Sequence, residues 1–253
     1  FTAGRKFAQA ALDINPAQAD ALMHLGAISF HYDWEFEKAR ELVEEGLALN
    51  PNLEMGLILA ANIHLLKNEF EKALSCVDKA MEIDPLNIGL LMNAGDHLIL
   101  QHRFGEAIQS LESALAIEPR FRPACLRLSF AYAFNDQPDK AKNCLEIARQ
   151  VSGEDALFHE YRAIAEGRAG NRKRALDAAN RLQQMADESG DVLPWSLARA
   201  WASAGKSDKA VDCLKQAFDS RSSSMPFLGM TPALDSIRSL PAVQDLMRKA
   251  GLP

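Results

Sequence analysis

A sixteen-residue segment returns at a fixed interval and constrains the fold more than any other feature of this sequence. It reads FEKARELVEEGLALNP from Phe36, FEKALSCVDKAMEIDP from Phe70 and FGEAIQSLESALAIEP from Phe104, so successive copies start 34 residues apart. In each copy, small and apolar residues alternate at the spacing of one helix face, and a proline closes the segment because it cannot continue the helix. A period of this length predicts an array of structural repeats.

The copies resemble the tetratricopeptide repeat, whose pattern has a central Ala, a large residue four positions later and a terminal Pro. In the copy that starts at Phe36, these positions hold Ala39, Val43 and Pro51. The resemblance implies an all-α fold, a right-handed superhelical solenoid of antiparallel helix pairs. It also implies that the first helices of the pairs line a concave surface on which peptides or partner helices bind.

The repeat register extends along most of the chain. The opening FTAGRKFAQAALDINP aligns with the same segment, Phe1 on Phe36, which predicts the second helix of an incomplete repeat and a chain that is a fragment of a longer protein. The later copies are weaker but keep their small residues as far as Phe218. We therefore expect residues 1–221 to form a half repeat followed by six helix pairs.

The pattern stops at Ser222, and the remaining residues have a different character. Residues 222–253 contain three turn prolines before the terminal Pro253 and two short amphipathic stretches, Pro232–Arg238 and Pro241–Ala250, each with proline at a position that a helix start tolerates. Because a repeat array needs an atypical end unit over its last apolar face, this segment is predicted to be a C-terminal helical cap.

Two segments resemble a narrower group of arrays. The turn HYDWEF at His31–Phe36, which holds one residue more than the period allows, looks like the Tyr-Asp-Trp-Asp-Trp turn of arrays in certain bacterial multidomain proteins. The tail PALDSIRSLPAVQDLMRKAGLP is similar to their ending, Pro-x-Phe-Asp-Pro-Leu-Arg-Ser-Asp-Pro-Arg-Phe. In those proteins the array follows a winged-helix DNA-binding domain, a class III adenylate cyclase domain or a Ser/Thr protein kinase domain.

The composition of the chain limits the classes of partner that it can bind. The net charge of −6 argues against nonspecific binding of nucleic acid by this chain, which would need a basic footprint. No apolar run reaches the roughly 18 residues of a membrane span, and no signal peptide is visible. We therefore expect neither nucleic acid nor membrane as a direct partner.

The four cysteines are interpreted as small packing residues. Cys76, Cys144 and Cys213 recur three positions after the central Ala of their repeats, and Cys125 lies on a first helix. Equivalent positions in non-adjacent repeats lie far apart, so a disulfide or metal role is disfavoured. Free cysteines favour a reducing compartment, and we expect a cytoplasmic protein.

Motifs for catalysis are weak. Gly205-Lys206-Ser207 ends like a phosphate-binding loop but follows a helix, whereas that loop needs a preceding strand. The histidines form no His-Glu-x-x-His motif and the cysteines no Cys-x-x-Cys motif. We therefore predict that the chain is not an enzyme and uses no cofactor or metal.

The resemblance places a candidate binding groove on the first helices of the second to fourth full pairs. Asn62, Asn93 and Arg127 match positions where related arrays hold a terminal carboxylate, but Ile58 and Pro123 stand where those arrays have lysines. An Asn amide can pair with a peptide bond in either sense. The alternative is that these side chains serve only packing between repeats. The predicted groove residues are Asn62, Leu65, Met92, Asn93, Asp96, Arg127, Phe130 and Phe134.

These observations favour a protein- or peptide-binding module that forms the sensory or partner-binding part of a bacterial regulatory or signalling protein. The alternative is a scaffold that self-associates, giving a homo-oligomer through the bare edge at Phe1–Ile14 or through the convex face. An enzyme with an unrecognised site is a third, disfavoured class.

Overall fold

The computed structural model describes residues 2–253, and Phe1 lies outside the described part. Consecutive helices form antiparallel pairs, as the repeat pattern predicts, and no strand occurs within residues 2–253. Helix α1 is the half repeat, and α2 to α13 form six pairs. The helices are α1 Thr2–Ile14, α2 Ala19–Ile28, α3 Phe36–Leu49, α4 Glu54–Leu66, α5 Phe70–Ile83, α6 Ile88–Leu100, α7 Phe104–Ile117, α8 Arg122–Phe134, α9 Pro138–Ser152, α10 Ala156–Arg168, α11 Arg172–Ser189, α12 Pro194–Ser203 and α13 Ser207–Asp219.

The recurring small residues are the closest contacts between helices. Ala39, Ala73 and Ala107 are fully buried, each at the same place on a second helix. A side chain of one methyl group lets a neighbouring helix approach, and the larger residue four positions later fills the space beside it. The predicted all-α solenoid is confirmed, and its core follows from this alternation.

The turn inside each pair has its own period. Trp34, Asn68, His102, Asp136 and Gly170 all have positive φ angles, and they lie 34 residues apart. Asn, Asp and Gly adopt this left-handed conformation readily, whereas a Trp there is an outlier. The extra residue of the first turn is accommodated by a five-residue π-helical turn, Ser29–Asp33, immediately before Trp34.

The C-terminal residues fold into four short helical elements that pack on the last pair. They are two 3-10 turns, Met225–Phe227 and Pro232–Leu234, and the helices α14 Asp235–Arg238 and α15 Pro241–Lys249. Their apolar side chains share one buried cluster with α12 and α13, which includes Met225, Leu228, Leu234, Ile237, Val243, Leu246, Met247, Trp195, Trp201 and Leu214.

The end of α13 and the C-terminal segment both reach back to the first pair. The Trp34 ring lies 5.0 Å from that of Phe218, measured between centroids, and the Arg221 guanidinium lies 4.2 Å from the centre of the Trp34 ring. His31 Nδ1 donates a hydrogen bond of 3.1 Å to the Ser223 carbonyl. The C-terminal segment therefore joins the two ends of the array, in addition to covering its last pair.

Among residues 2–253, no helix combines the length and the apolar character needed to cross a bilayer.

A close approach between α10 and α12 depends on a glycine. A Cβ added to Gly167 would lie 2.3 Å from the Ser203 carbonyl oxygen, whereas one added to Gly105 would meet nothing within 4 Å. We expect Gly167→Ala to lower the free energy of unfolding by about 1–3 kcal/mol through overpacking. Gly105→Ala, the matched control, should leave it unchanged or slightly raised. Urea unfolding followed by circular dichroism measures both, and equal stability of the two variants would contradict the close contact.

The cysteines lie inside the array as free thiols, with Cys125, Cys144 and Cys213 buried and Cys76 half-buried. Burial raises the pKa of Cys144 to about 12 and that of Cys213 to about 11. Because the thiolate is the reactive form, we expect slow modification of the native protein by a thiol reagent and rapid modification of all four cysteines after unfolding. Replacement of Cys76, Cys144 or Cys213 by Ala should cost about 1 kcal/mol. Fast reaction of three or more native thiols would overturn this.

Deletion of residues 222–253 should destabilise both ends of the array. It would expose Trp195 and Leu214 at the last pair and remove the hydrogen-bond partner of His31 at the first. We expect a lower melting temperature together with self-association, measured by calorimetry and sedimentation velocity. An unchanged melt and an unchanged sedimentation profile would show that the segment is only an appendage.

Candidate functional site

A cavity of about 480 Å³ lies on the concave surface, between the first helices of the pairs and the C-terminal segment. Helices α4, α6 and α8 form one side, and α10 and α12 extend it. The C-terminal segment contributes Ser224, Phe227, Thr231 and Pro232 to the opposite wall. The sequence predicts an open groove here, and the structure shows that the chain's own C-terminal segment covers part of it.

The repeat geometry brings three of the predicted polar residues together. Asn62, Asn93 and Arg127 lie on the successive first helices α4, α6 and α8, and all three line the cavity. Within residues 2–253, neither amide makes a side-chain hydrogen bond, although Asn62 is only 9% exposed. A polar side chain as buried as Asn62 usually has a hydrogen-bond partner. Because neither amide has one among the described residues, both remain available to a ligand.

Asp96 and Arg127 form an ion pair on the cavity wall. Arg127 Nε donates to the two Asp96 carboxylate oxygens at 3.0 and 2.8 Å, and Nη1 donates to the Pro123 carbonyl at 3.3 Å. Burial raises the pKa of Asp96, while Arg127 acts in the opposite direction by stabilising the charged form. The pair fixes the Arg127 side chain at the wall.

A second ion pair, on α10 and α12, escaped the sequence analysis. An Arg199 Nη1–Glu160 Oε1 contact of 2.6 Å joins the two helices, and Glu160 is 1% exposed. The Arg199 guanidinium lies 5.4 Å from the ring centres of both Phe130 and Tyr161. Arg199 is the one charged residue of α12 and lies between Trp195 and Trp201. A single charge in an otherwise apolar helix is the feature of the sequence that could have indicated a functional residue here.

Two histidines add neutral polar groups to the cavity. His97 is 4% exposed, and burial lowers its pKa to about 4, so its ring is neutral at pH 7. Its Nδ1 is buried without a hydrogen-bond partner among the described residues. Burial lowers the pKa of His31 too, and the hydrogen bond to Ser223 partly opposes that change.

The other predicted groove residues lie elsewhere or serve packing. Leu65 is fully buried against Ala73 and Val77, so it presents no surface to a ligand. Met92 and Phe134 are half-buried and are not part of the cavity wall. Phe130 lines the cavity but is 2% exposed, because its ring stacks on Phe134 at 4.5 Å between centroids.

An open groove continues from the cavity along α2, α4 and α6. Its volume is about 370 Å³, and it shares His31, Ile58, Asn62 and Asn93 with the cavity. The two Asn amides therefore lie where the groove meets the cavity. Among the residues described, no group of three or more His, Cys, Asp or Glu side chains could hold a metal ion.

The sequence matches a family model described as tetratricopeptide repeat over residues 98–165. No curated protein sequence matches it significantly.

Solved structures resemble the whole fold. A thermophilic TPR protein of Thermus thermophilus, TTC0263, is 21% identical, with a TM-score of 0.60 over 74% of this chain and 98% of its own. PilF of Pseudomonas aeruginosa is 18% identical, with a TM-score of 0.56 over 97% of this chain and 99% of its own. MamA of Desulfovibrio magneticus RS-1 is 17% identical, with a TM-score of 0.53 over 68% of this chain and 96% of its own. At these identities the likeness concerns the fold alone.

The periodic segments, the six helix pairs and the family match agree with one another. Residues 98–165 match the tetratricopeptide repeat model, and the chain has the all-α helical-repeat solenoid fold of the tetratricopeptide repeat structures that it resembles.

Proposed function

We propose that this chain binds a short extended segment of another protein in the open groove along α2, α4 and α6, with the end of that segment at the mouth of the cavity. Tetratricopeptide repeats form a protein–protein interaction module, and binding rather than catalysis is the role that we assign to this array. The observation that carries the proposal is the pair of amides, Asn62 and Asn93, that have no hydrogen-bonding partner at the junction of groove and cavity.

The chemistry of the groove supports a peptide backbone as the bound group. Each Asn side chain offers both a donor and an acceptor, so two of them can hold the N–H and C=O groups of an extended chain. Between them, Met55, Ile58 and Leu90 provide apolar contact for its side chains. Arg127, fixed by Asp96 at the cavity wall, can orient an acidic side chain or a chain end.

The C-terminal segment limits the length of the bound peptide. It occupies the concave surface beside α12, where Thr231 and Pro232 form a wall of the cavity. A ligand that runs through the whole superhelix would have to displace this segment and its apolar core. The accessible groove of about 370 Å³ therefore suits a few residues of a partner.

We further propose that the array is the sensory or partner-binding part of a bacterial regulatory or signalling protein. Support comes from the Tyr32-Asp33-Trp34 turn and from the C-terminal segment, the two parts that resemble arrays of such regulators. In this chain the two parts are neighbours, since His31, next to Tyr32, donates a hydrogen bond to the Ser223 carbonyl. A DNA-binding, cyclase or kinase domain encoded upstream would support this context, and an unrelated upstream domain would contradict it.

A self-associating scaffold is the second candidate. Helix α1 leaves Phe7 75% exposed and Ile14 87% exposed, which is the apolar surface that such an association would use. The predicted edge also includes Phe1, which lies outside the described residues. Sedimentation velocity tests this candidate. If the parent is an oligomer and the Phe7→Ser/Ile14→Ser variant forms an oligomer of the same size, this surface is not the contact. If the parent is a monomer, the scaffold itself is excluded.

The test of the proposed function is a selection from a random peptide library, followed by titration of the selected peptides. We expect Arg127→Ala, or Asn62→Ala with Asn93→Ala, to weaken binding by about 2 kcal/mol or more. Phe130→Ala is unsuitable because it would remove a buried ring and cost about 3–5 kcal/mol of stability.

Charge reversal of Arg172, Lys173 and Arg174 is the control, since these residues are exposed on α11, away from the groove. It should leave the affinity nearly unchanged. If the Asn and Arg127 variants bind as the parent does while the charge-reversed variant fails, the partner binds on the outer surface and the assignment is wrong.

A further inference from the structure

One side of the cavity has a chemistry that differs from that of the open groove. That side is formed by α8, α10, α12 and the C-terminal segment, and the volume of the whole cavity, about 480 Å³, falls within the range of small-molecule sites. Two arginines, Arg127 and Arg199, approach it from different helices. Cationic side chains are costly to bury unless they are paired, and Asp96 and Glu160 are the partners here.

The arginines keep donors available. Arg127 directs Nε to Asp96 and Nη1 to the Pro123 carbonyl, which leaves Nη2 without a hydrogen-bond partner among the described residues. Arg199 contacts Glu160 through Nη1 and is also hydrogen-bonded to Tyr161. Since a guanidinium carries five N–H donors, the two carboxylates satisfy only part of each group.

Each arginine is paired with a carboxylate, so the four charged groups are neutral in sum. Arg127, Arg199 and Asp96 line the cavity, whereas Glu160 lies behind Arg199 and is 1% exposed. His97, which is 4% exposed, adds a neutral polar residue. The wall therefore presents more N–H donors than carboxylate acceptors, which favours a ligand with an anionic acceptor group.

The remaining wall is apolar and largely aromatic. Phe130 and Trp195 come from the repeats, and Phe227 comes from the C-terminal segment. Tyr161 adds a second ring beside Arg199. A flat apolar body could pack between these rings while its anionic group meets the guanidinium groups.

We propose that this cavity binds a small organic anion, a molecule with one acidic group on an aromatic body. The site goes beyond the peptide groove, because it uses Arg199, Tyr161 and Trp195, which do not line that groove. The ligand would contact Phe227 and Thr231 as well as the repeats, so its binding would stabilise the closed position of the C-terminal segment.

A matched pair of fluorescent probes tests this proposal on the intact chain. Anilinonaphthalene sulfonate has an aromatic body and one sulfonate, and N-phenylnaphthylamine has the same kind of body without the charge. We expect the sulfonate to bind one-to-one, to raise the melting temperature, and to bind about tenfold or more tightly than the neutral probe. Equal affinity of the two probes, or binding of neither, would overturn the proposal.

Two variants separate a specific site from general dye adsorption. Arg127→Met, and Arg199→Met combined with Glu160→Gln so that no buried carboxylate remains unpaired, should each weaken sulfonate binding about tenfold or more and leave the neutral probe unaffected. Arg174→Met, at an exposed position on α11, is the control. Circular dichroism and the melting temperature report whether each variant is folded.

Unchanged sulfonate affinity in both folded variants would show that the dye binds elsewhere and would refute the site. That result would leave the peptide titration of the Asn62→Ala/Asn93→Ala variant untouched, because that variant changes neither arginine. Conversely, loss of peptide binding in the Asn62→Ala/Asn93→Ala variant with sulfonate binding retained would separate the two sites.

Discussion

The contact of Trp34 with Phe218 and Arg221 is the interaction on which the closed form of this array depends. It joins the turn of the first pair to the end of the last second helix, at 5.0 Å between the Trp34 and Phe218 ring centres and 4.2 Å from Arg221 to the Trp34 ring. A bulky side chain in the left-handed conformation carries a conformational cost, which this packing offsets. Without this contact, only the C-terminal segment, through the hydrogen bond of His31 to Ser223 and the packing of Phe227, would join the last pair to the first.

Closure changes the character of the concave surface. In an open solenoid the first helices would face solvent along their whole length, and the natural ligand would be an extended chain. Here Met225 and Leu228 fill part of that surface, and Phe227 and Thr231 limit what remains. The concave face is thereby divided into an open groove lined by Asn62, Asn93 and apolar side chains and a cavity whose walls carry two arginines and several aromatic rings.

The predicted site was partly accessible to sequence reasoning. Asn93 and Arg127 lie 34 residues apart, at equivalent positions of successive first helices, whereas the equivalent of Asn62 is Asp96. Asp96 follows Asn93 by about one helical turn on the same face, so Asn62, Asn93 and Arg127 line one surface. Leu65 and Phe130 are buried instead, because burial depends on which neighbouring side chain fills the space, and the period does not specify that. Arg199 and Glu160 were not predicted because they lie in the repeats that match the pattern least. Their role follows from the ion pair that they form with each other, which the repeat pattern does not specify.

The sequence by itself determined the helix pairs, their register and the left-handed turns, because small residues, prolines and turn residues act locally and recur every 34 positions. Only the tertiary structure decided that the C-terminal segment crosses the concave surface. The hydrogen bond from His31 to Ser223 spans 192 residues, and such a contact leaves no trace in a local pattern. Its position depends on the accumulated rotation of six pairs, which brings the first turn and the last helix within reach of each other.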